Sequence, residues 1–380
     1  MRLRGNAAGV ALAIGLSRIA FGFQLQTIST LGPDLARFYG FDYAMLGTLV
    51  GIYMAAGVVV ALPAGFAARR FGDYPMAVAG FTLMVLGSLV ASLGSVEAIM
   101  IGRLMSGSGV VALTVLQGKI IADRFVGSSF THVMGAIVGS FPIGLGLAQV
   151  ILPGIASAFG VQAAFMAGAI AAALPFLLFL LCWSETPAAP ARSAAWPSRH
   201  EIWLVAIAGL VWTAYNAGYH NYLAFLPSLM AGRDHSLALT GAAMSLATWG
   251  NLPAILLGGI VATRFGAGKV FLVGTLVTFV SVIGPAFADW PLTWAILFGT
   301  IGSLHGGLII EMGTLAAKPQ NRAVAMGIFY TTYYAGASII PSICGRAADW
   351  VGDPIGALVC AALLSLLAIP LWAWQRRMAG

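Results

Sequence analysis

Long apolar stretches recur from one end of the 380-residue chain to the other. A helix of about twenty apolar residues is long enough to cross the roughly 30 Å hydrocarbon core of a membrane. Only 8% of the residues are charged, whereas a soluble domain carries about 25%. The charged residues that would coat a water-facing surface are missing, so the sequence predicts an all-α polytopic membrane protein.

Turn signals separate the apolar stretches, for example at Gly32-Pro33, Gly72-Asp73 and Gly266-Ala267-Gly268. The first stretch continues past Arg18 without a convincing cleavage site, so we interpret it as a membrane span and not as a signal peptide. We predict twelve transmembrane helices, at 7–31, 43–66, 74–94, 97–120, 131–156, 162–183, 202–227, 238–262, 269–289, 291–316, 323–344 and 354–374.

The distribution of basic residues predicts the orientation. Among the connections and termini, only Arg37, Arg233 and Arg346 lie in odd-numbered connections. The termini and the even-numbered connections hold Arg2, Arg4, Arg69, Arg70, Lys119, Arg124, Arg192, Arg199, Arg264, Lys269, Lys318, Arg322, Arg376 and Arg377. The positive-inside rule therefore predicts that both termini are cytoplasmic, and we expect the inner (plasma) membrane of a bacterium.

The longest connection, 184–201, is polar and rich in proline. It divides the chain into an N-terminal six-helix half, 1–183, and a C-terminal six-helix half, 202–380. We expect this cytoplasmic linker to let the two halves move independently.

The two halves share a sequence block at equivalent positions. The first copy runs from Gly65 to Gly72 after span 2, and the second runs from Gly259 to Gly266 after span 8. Both read Gly, four residues, Arg, Phe, Gly, and they are offset by 194 positions. Parallel repeats of six helices are a known plan of membrane transporters.

At these residues the chain resembles the major facilitator superfamily. Its signature runs glycine, three residues, an acidic residue, a basic residue, any residue, a second glycine and then basic residues, and it is matched at Gly65, Arg70, Gly72, Gly259, Arg264 and Gly266. Arg103-x-x-x-Gly107-x-Gly109 resembles a second family motif. The acidic position is occupied by Arg69 and Thr263, which is a departure that puts the family's charge-relay latch in doubt. Leu31 to Leu35 and Gly118 to Asp123 are similar to the cyanate and nitroimidazole transporter-like branch.

The resemblance implies a twelve-helix fold of two pseudo-symmetric halves, with a solute site near the membrane midplane between them. It also implies that span 1 and span 10 border the central cavity. Ionisable residues within the spans are therefore candidate site residues.

An arginine lies within one residue of the middle of span 1. Arg18 keeps its positive charge, and its planar guanidinium suits a carboxylate or another oxyanion. A charge at the bilayer centre costs at least about 2.5 kcal/mol on insertion scales, so it indicates a functional site by default. Arg18 therefore either binds an anionic substrate or is a structural residue bonded to helix carbonyls.

Four further ionisable residues of the spans are candidates for gating or proton coupling. Arg103 suits a structural or gating role as well as a substrate contact. Lys119 and Glu311 lie near the cytoplasmic ends of spans 4 and 10, where they form an alternating ion pair or simply extend to the membrane surface. His305 can titrate near neutral pH, or it stays neutral and bonds a neighbouring helix.

Polar and aromatic side chains follow one face of span 7 and the middle of span 11. We expect these faces to line the cavity, although Tyr219 and Tyr222 also fit an interfacial aromatic belt. The predicted substrate-binding residues are Arg18, Gln24, Tyr215, Asn216, Tyr219, His220, Tyr330, Tyr333 and Tyr334.

The chain carries no Walker A loop, dinucleotide fingerprint or H-E-x-x-H motif. We therefore predict a secondary active transporter that moves a small anionic or polar solute by alternating access, with proton symport as one form of coupling. The alternative is a proton-coupled exporter of small hydrophobic compounds. A membrane-embedded enzyme is disfavoured because the sequence shows no clustered catalytic set. A non-transporting sensor is disfavoured because it shows no signalling domain.

The expected partners are the solute and the lipid bilayer, and the chain is expected to act as a monomer. No cofactor, metal ion or nucleic acid is expected.

Overall fold

The computed structural model describes residues 6–125, 128–184 and 196–379. All regular structure in these ranges is helical. The helices are α1 (Ala7–Thr30), α2 (Gly32–Tyr39), α3 (Tyr43–Phe71), α4 (Asp73–Ala91), α5 (Val96–Ala122), α6 (Ser128–Phe159), α7 (Val161–Cys182), α8 (Arg199–Gly232), α9 (Leu237–Trp249), α10 (Asn251–Phe265), α11 (Ala267–Ile283), α12 (Pro291–Gly299), α13 (Gly306–Leu315), α14 (Arg322–Val351), α15 (Ile355–Leu366) and α16 (Ala368–Ala379).

The described helices confirm the predicted all-α membrane fold. Ten segments are long and apolar enough to cross a membrane, and the bent pair Leu237–Ile255 and Leu257–Phe265 passes the same test together. α14 is not among them, because hydroxyl-bearing residues at 330–334 lower its hydropathy. Together with α14 these segments are consistent with the twelve predicted spans.

Several predicted spans are broken into shorter helices. Span 10 consists of α12, a 3₁₀ turn at Ile301–Ser303 and α13. Thr300 has the non-helical angles φ −99° and ψ −88°, and the glycines on both sides of it lower the preference for helix. A mid-helix 3₁₀ segment often marks a hinge.

The turn predicted at Gly32-Pro33 opens an additional short helix. In α2, Pro33 occupies the first turn, where its missing N–H costs no hydrogen bond. Gly40 ends the helix in the left-handed conformation, with φ 66°.

The helices pack as two compact units. The first comprises the described residues of Met1–Thr27 and Ile52–Arg192, and the second comprises those of Ile28–Gly51 and Ser193–Gly380. The predicted halves, 1–183 and 202–380, stay a prediction. Most of the linker, 185–195, lies outside the described residues.

The first unit contains a close helix pair formed by α4 and α5. A Cβ atom at Gly87 or Gly102 would overlap the backbone of the other helix. Small residues at such positions let two helix backbones approach closely, and this close packing favours helix association in lipid.

The second unit is centred on α8. A carboxylate fixes the start of this helix: Glu201 accepts hydrogen bonds from Ser198 N at 2.7 Å, from Lys318 N at 2.7 Å and from the Asn321 amide at 3.0 Å. Ser198 Oγ in turn accepts from Glu201 N, which completes a capping box. Glu201 thereby ties α8 to the turn that precedes α14.

Replacing Glu201 with glutamine should lower the melting temperature of the purified protein by several degrees. An amide offers a single acceptor oxygen, so backbone donors that the carboxylate now satisfies would lose their partners. Differential scanning fluorimetry in detergent measures the change. Glu311→Gln is the matched control, since Glu311 is exposed. Equal melting temperatures for the two variants would show that the Glu201 contacts contribute little.

Candidate functional site

Arg18 is half-buried within the first unit. Its Nη1 donates to Thr114 Oγ1 at 3.2 Å, and its guanidinium lies 5.2 Å from the Phe21 ring centre and 5.3 Å from that of Phe141. Side chains from α1, α5 and α6 therefore orient the guanidinium. The two aromatic faces stabilise a cation without neutralising it.

Gln24 and Arg103 belong to a buried network in the same unit. Arg103 Nη1 donates to the Gln24 carbonyl at 2.6 Å, and the guanidinium lies 4.3 Å from the Tyr53 ring centre. The Gln24 amide donates to Ser88 Oγ and to the carbonyls of Met84 and Gly168. Tyr53 donates to Gln24 Oε1 at 3.1 Å. The network holds α1, α3, α4, α5 and α7 together.

A small cavity adjoins this network. Its volume is about 10 Å³, and its lining includes Gln24, Tyr53, Ser88, Arg103 and Ser106. A cavity of this size holds about one water molecule. In this structure Gln24 and Arg103 thus contact protein groups and a water-sized space, and their predicted roles in substrate binding and gating stay predictions.

Lys119 forms ion pairs within the first unit. Its Nζ contacts Asp73 Oδ2, and it lies 3.5 Å from Asp123 Oδ2. In the sequence Asp73 stands out only as part of the Gly72-Asp73 turn signal, so this partner of Lys119 was not predicted. The family motif has basic residues after its second glycine, whereas this chain has an acid there. The alternating pair of Lys119 with Glu311 stays a prediction.

The repeated motif has the same local structure in both copies. Gly72 has φ 90° and Gly266 has φ 89°, a region that L side chains rarely adopt. In each copy the arginine guanidinium lies over the ring of the phenylalanine that follows it. The guanidinium carbon is 5.5 Å from the ring centre for Arg70 and Phe71, and 5.6 Å for Arg264 and Phe265. The Arg69 side chain lies outside the described residues. The repeat therefore ends two corresponding helices in the same way.

The second unit gathers most of the predicted aromatic and polar residues. His220 Nε2 and Tyr333 Oη lie 2.8 Å apart, and Asn251 Nδ2 donates to Tyr215 Oη at 3.4 Å. Trp212 stacks on Tyr215 with ring centres 5.2 Å apart. The remaining tyrosines join this cluster through Tyr333–Tyr334, Tyr330–Tyr334 and Tyr215–Tyr219 contacts. Asn216 differs, because its amide donates to the Trp212 carbonyl of its own helix.

His305 lies at the break of predicted span 10, beside the aromatic cluster. It is 1% exposed, and among the described residues its Nδ1 atom has no hydrogen-bond partner. The ring meets Tyr215 edge-on at 4.9 Å and Phe271 edge-on at 5.4 Å. Glu311 is exposed and lies six residues further along α13. Six residues place the two side chains on different faces of a helix.

Four further residues make polar contacts that the sequence did not predict. Each of them contacts a residue that is distant in the sequence; they are Tyr53, Thr114, Glu201 and Asp349. Of the four, Glu201 alone belongs to a sequence motif, the Ser198-x-x-Glu201 capping box, and each partner lies on another helix or loop. For Tyr53 and Thr114 the signal in the sequence is the rarity of polar residues in apolar spans, whereas Glu201 and Asp349 lie outside the predicted spans.

Comparisons with known proteins agree on the family. The family model described as Major Facilitator Superfamily matches residues 12–229 and 204–378. The 2-nitroimidazole transporter of Escherichia coli K12 is 23% identical over 375 residues, 95% of this chain and 92% of that protein. The inner membrane transport protein YajR of the same organism is 30% identical, but the match covers 43% of this chain and 35% of YajR.

Solved structures share the fold. A mutant of the nucleoside transporter NupG superposes with a TM-score of 0.76 over 97% of this chain and 99% of that chain, at 16% identity. A bacterial homologue of the human lysosomal transporter Spinster, inward-facing and unoccupied, gives a TM-score of 0.80 over 98% of this chain and 97% of that chain, at 14% identity.

Proposed function

Because the chain belongs to the Major Facilitator Superfamily, we propose that it is a secondary active transporter of a small anionic or polar solute. The observation that carries this proposal is Arg18, a half-buried cation in an apolar span that Thr114, Phe21 and Phe141 orient. A charge at this depth costs free energy to insert, so it indicates a functional site by default. The similar transporters named for 2-nitroimidazole and for nucleosides support a small polar solute.

A melting-temperature screen of the purified chain tests the proposal directly. A bound solute stabilises the folded state in proportion to the logarithm of its concentration over its dissociation constant. We expect stabilisation by small carboxylates or other oxyanions, and weaker effects from uncharged analogues of the same size. Stabilisation by uncharged hydrophobic compounds alone would contradict the proposal.

The second candidate function is export of small hydrophobic compounds. The multidrug resistance protein MdtL of Escherichia coli O81 is 30% identical over 163 residues, 42% of this chain and 42% of that protein. The aromatic cluster around Trp212 and Tyr333 offers a surface on which apolar rings can stack. The same screen separates the two candidates, because only the exporter should be stabilised by hydrophobic compounds.

We propose protons as the coupling ion. His305 supports this by its position at the break between α12 and α13, where a change in the helices would change the surroundings of the imidazole. The sequence favours Glu311 as a second carrier. A pH jump across proteoliposome membranes should drive solute uptake if protons are coupled.

We also propose that both termini face the cytoplasm of a bacterium, as the basic residues predict. Reporter fusions at the C-terminus and after Arg233 should then give opposite readouts, with alkaline phosphatase active only at the second position. Matching readouts at the two positions would overturn this orientation.

A further inference from the structure

The N-terminal end of α3 is capped by a carboxylate from α14. Tyr43 N donates to Asp349 Oδ1 at 2.9 Å, and Ala44 N donates to Asp349 Oδ2 at 2.9 Å. The next amide, Met45 N, donates to Asp42 Oδ1 at 2.7 Å. The first amides of a helix lack partners within the helix, and a nearby side chain usually supplies one. Here two of them depend on a residue more than 300 positions later.

The contact continues along both helices as close backbone packing. A Cβ atom at Gly47 or Gly51 would overlap the carbonyl groups of Pro341 and Ser338, and one at Gly345 would overlap that of Tyr43. Thr48 Oγ1 donates to Ser342 Oγ at 3.1 Å. Residues 43–51 therefore lie on α14 within the second unit, while α3 from Ile52 onward packs within the first.

We propose that Asp349 is a latch that holds residues 43–51 on α14 and releases them once in each transport cycle. The inference rests on the proposed transport by alternating access, in which contacts between the two chain halves must open. A negative charge at a helix N-terminus is favourable, and it satisfies two amides at once. Both bonds are exposed, so water can replace the carboxylate when the contact opens.

The chemistry of the latch depends on the carboxylate. Asparagine at 349 would keep one acceptor oxygen and lose the charge. Asp353 supplies a matched control, because its Oδ1 accepts from Ile355 N at 2.7 Å and so caps the helix that follows. Only the substitution at 349 should loosen α3 from α14.

Distances between spin labels test the latch without any solute. Labels on Met45→Cys and Trp350→Cys, in a chain whose Cys182, Cys344 and Cys360 are replaced by serine, report the separation in lipid nanodiscs. We expect D349N to raise the ratio of open to closed populations by about tenfold, because charge-assisted bonds are lost. D353N should match the unsubstituted chain. Identical distance distributions for D349N and the unsubstituted chain would overturn the latch.

A cross-link tests whether the contact opens during transport and leaves Asp349 intact. Thr48→Cys with Ser342→Cys, in the same cysteine-free chain, should form a disulfide under oxidation, since the native oxygen atoms lie 3.1 Å apart. Oxidation should stop uptake into proteoliposomes, and a reductant should restore it, whereas either single cysteine should be insensitive. Full uptake by the cross-linked chain would overturn the latch. If the unsubstituted chain moves no solute, the transport proposal fails, and the label distances still decide the latch.

Discussion

Replacing Arg18 with alanine should weaken binding of the anionic solute by about tenfold to several hundredfold. Hydrogen bonds to charged groups contribute roughly 1.5–3 kcal/mol each, and every 1.4 kcal/mol is about a factor of ten in affinity. Lysine at this position should also be impaired, because a point charge does not reproduce the planar fork of donors. Isothermal titration in detergent, with the best solute from the melting-temperature screen, measures both variants.

The contacts of Arg18 supply a graded control. Thr114→Val removes the described hydrogen bond to Nη1 and keeps the shape of the side chain. It should reduce affinity less than the loss of the guanidinium does, since Phe21 and Phe141 still orient the charge. Monodispersity and melting temperature establish folding for each variant. If Arg18→Ala folds normally and binds as tightly as the unsubstituted chain, Arg18 is structural and the solute need not be anionic.

Hydropathy was sufficient to predict the membrane fold but not its interruptions. A twenty-residue apolar run predicts a span because a helix of that length and composition matches the hydrocarbon core of the membrane. Whether the helix continues through Thr300 depends on neighbours: Thr278 Oγ1 donates to the Gly302 carbonyl, and a Cβ at Gly258 would overlap the Leu304 carbonyl. These partners come from α11 and α10, so the sequence of span 10 alone does not reveal the break.

The candidate site likewise has features that the sequence shows and features that depend on packing between helices. Contact between Tyr215 and Tyr219 follows from helical spacing, which the sequence shows. Contact between His220 and Tyr333 depends on the approach of α14 to α8, which the sequence does not show. Gln24 illustrates the second case. It is a predicted substrate-binding residue, and in this structure its amide bonds protein groups on α4 and α7 while its Oε1 bonds Tyr53. A polar residue in a span needs partners, and the pattern does not say whether those partners are solute or protein.

Replacing His305 with alanine should abolish solute accumulation driven by a pH gradient while sparing counterflow exchange. Accumulation requires a group that binds a proton in one access state and releases it in the other, whereas exchange requires only the solute site. His305 lies at the break between α12 and α13, where a hinge motion would change its surroundings. Uptake into proteoliposomes with an imposed pH gradient and counterflow in its absence are the two measurements.

Two further variants separate proton coupling from packing. The His305 ring fills space beside Gly274 and against Tyr215 and Phe271, so alanine also leaves a cavity. Glutamine at 305 fills more of that space but does not titrate, and it should show the same selective loss. His200 is exposed at the start of α8, and His200→Ala should leave both activities unchanged. Uphill uptake at the unsubstituted rate in His305→Gln would assign the coupling to another group, with Glu311→Gln as the next variant to measure.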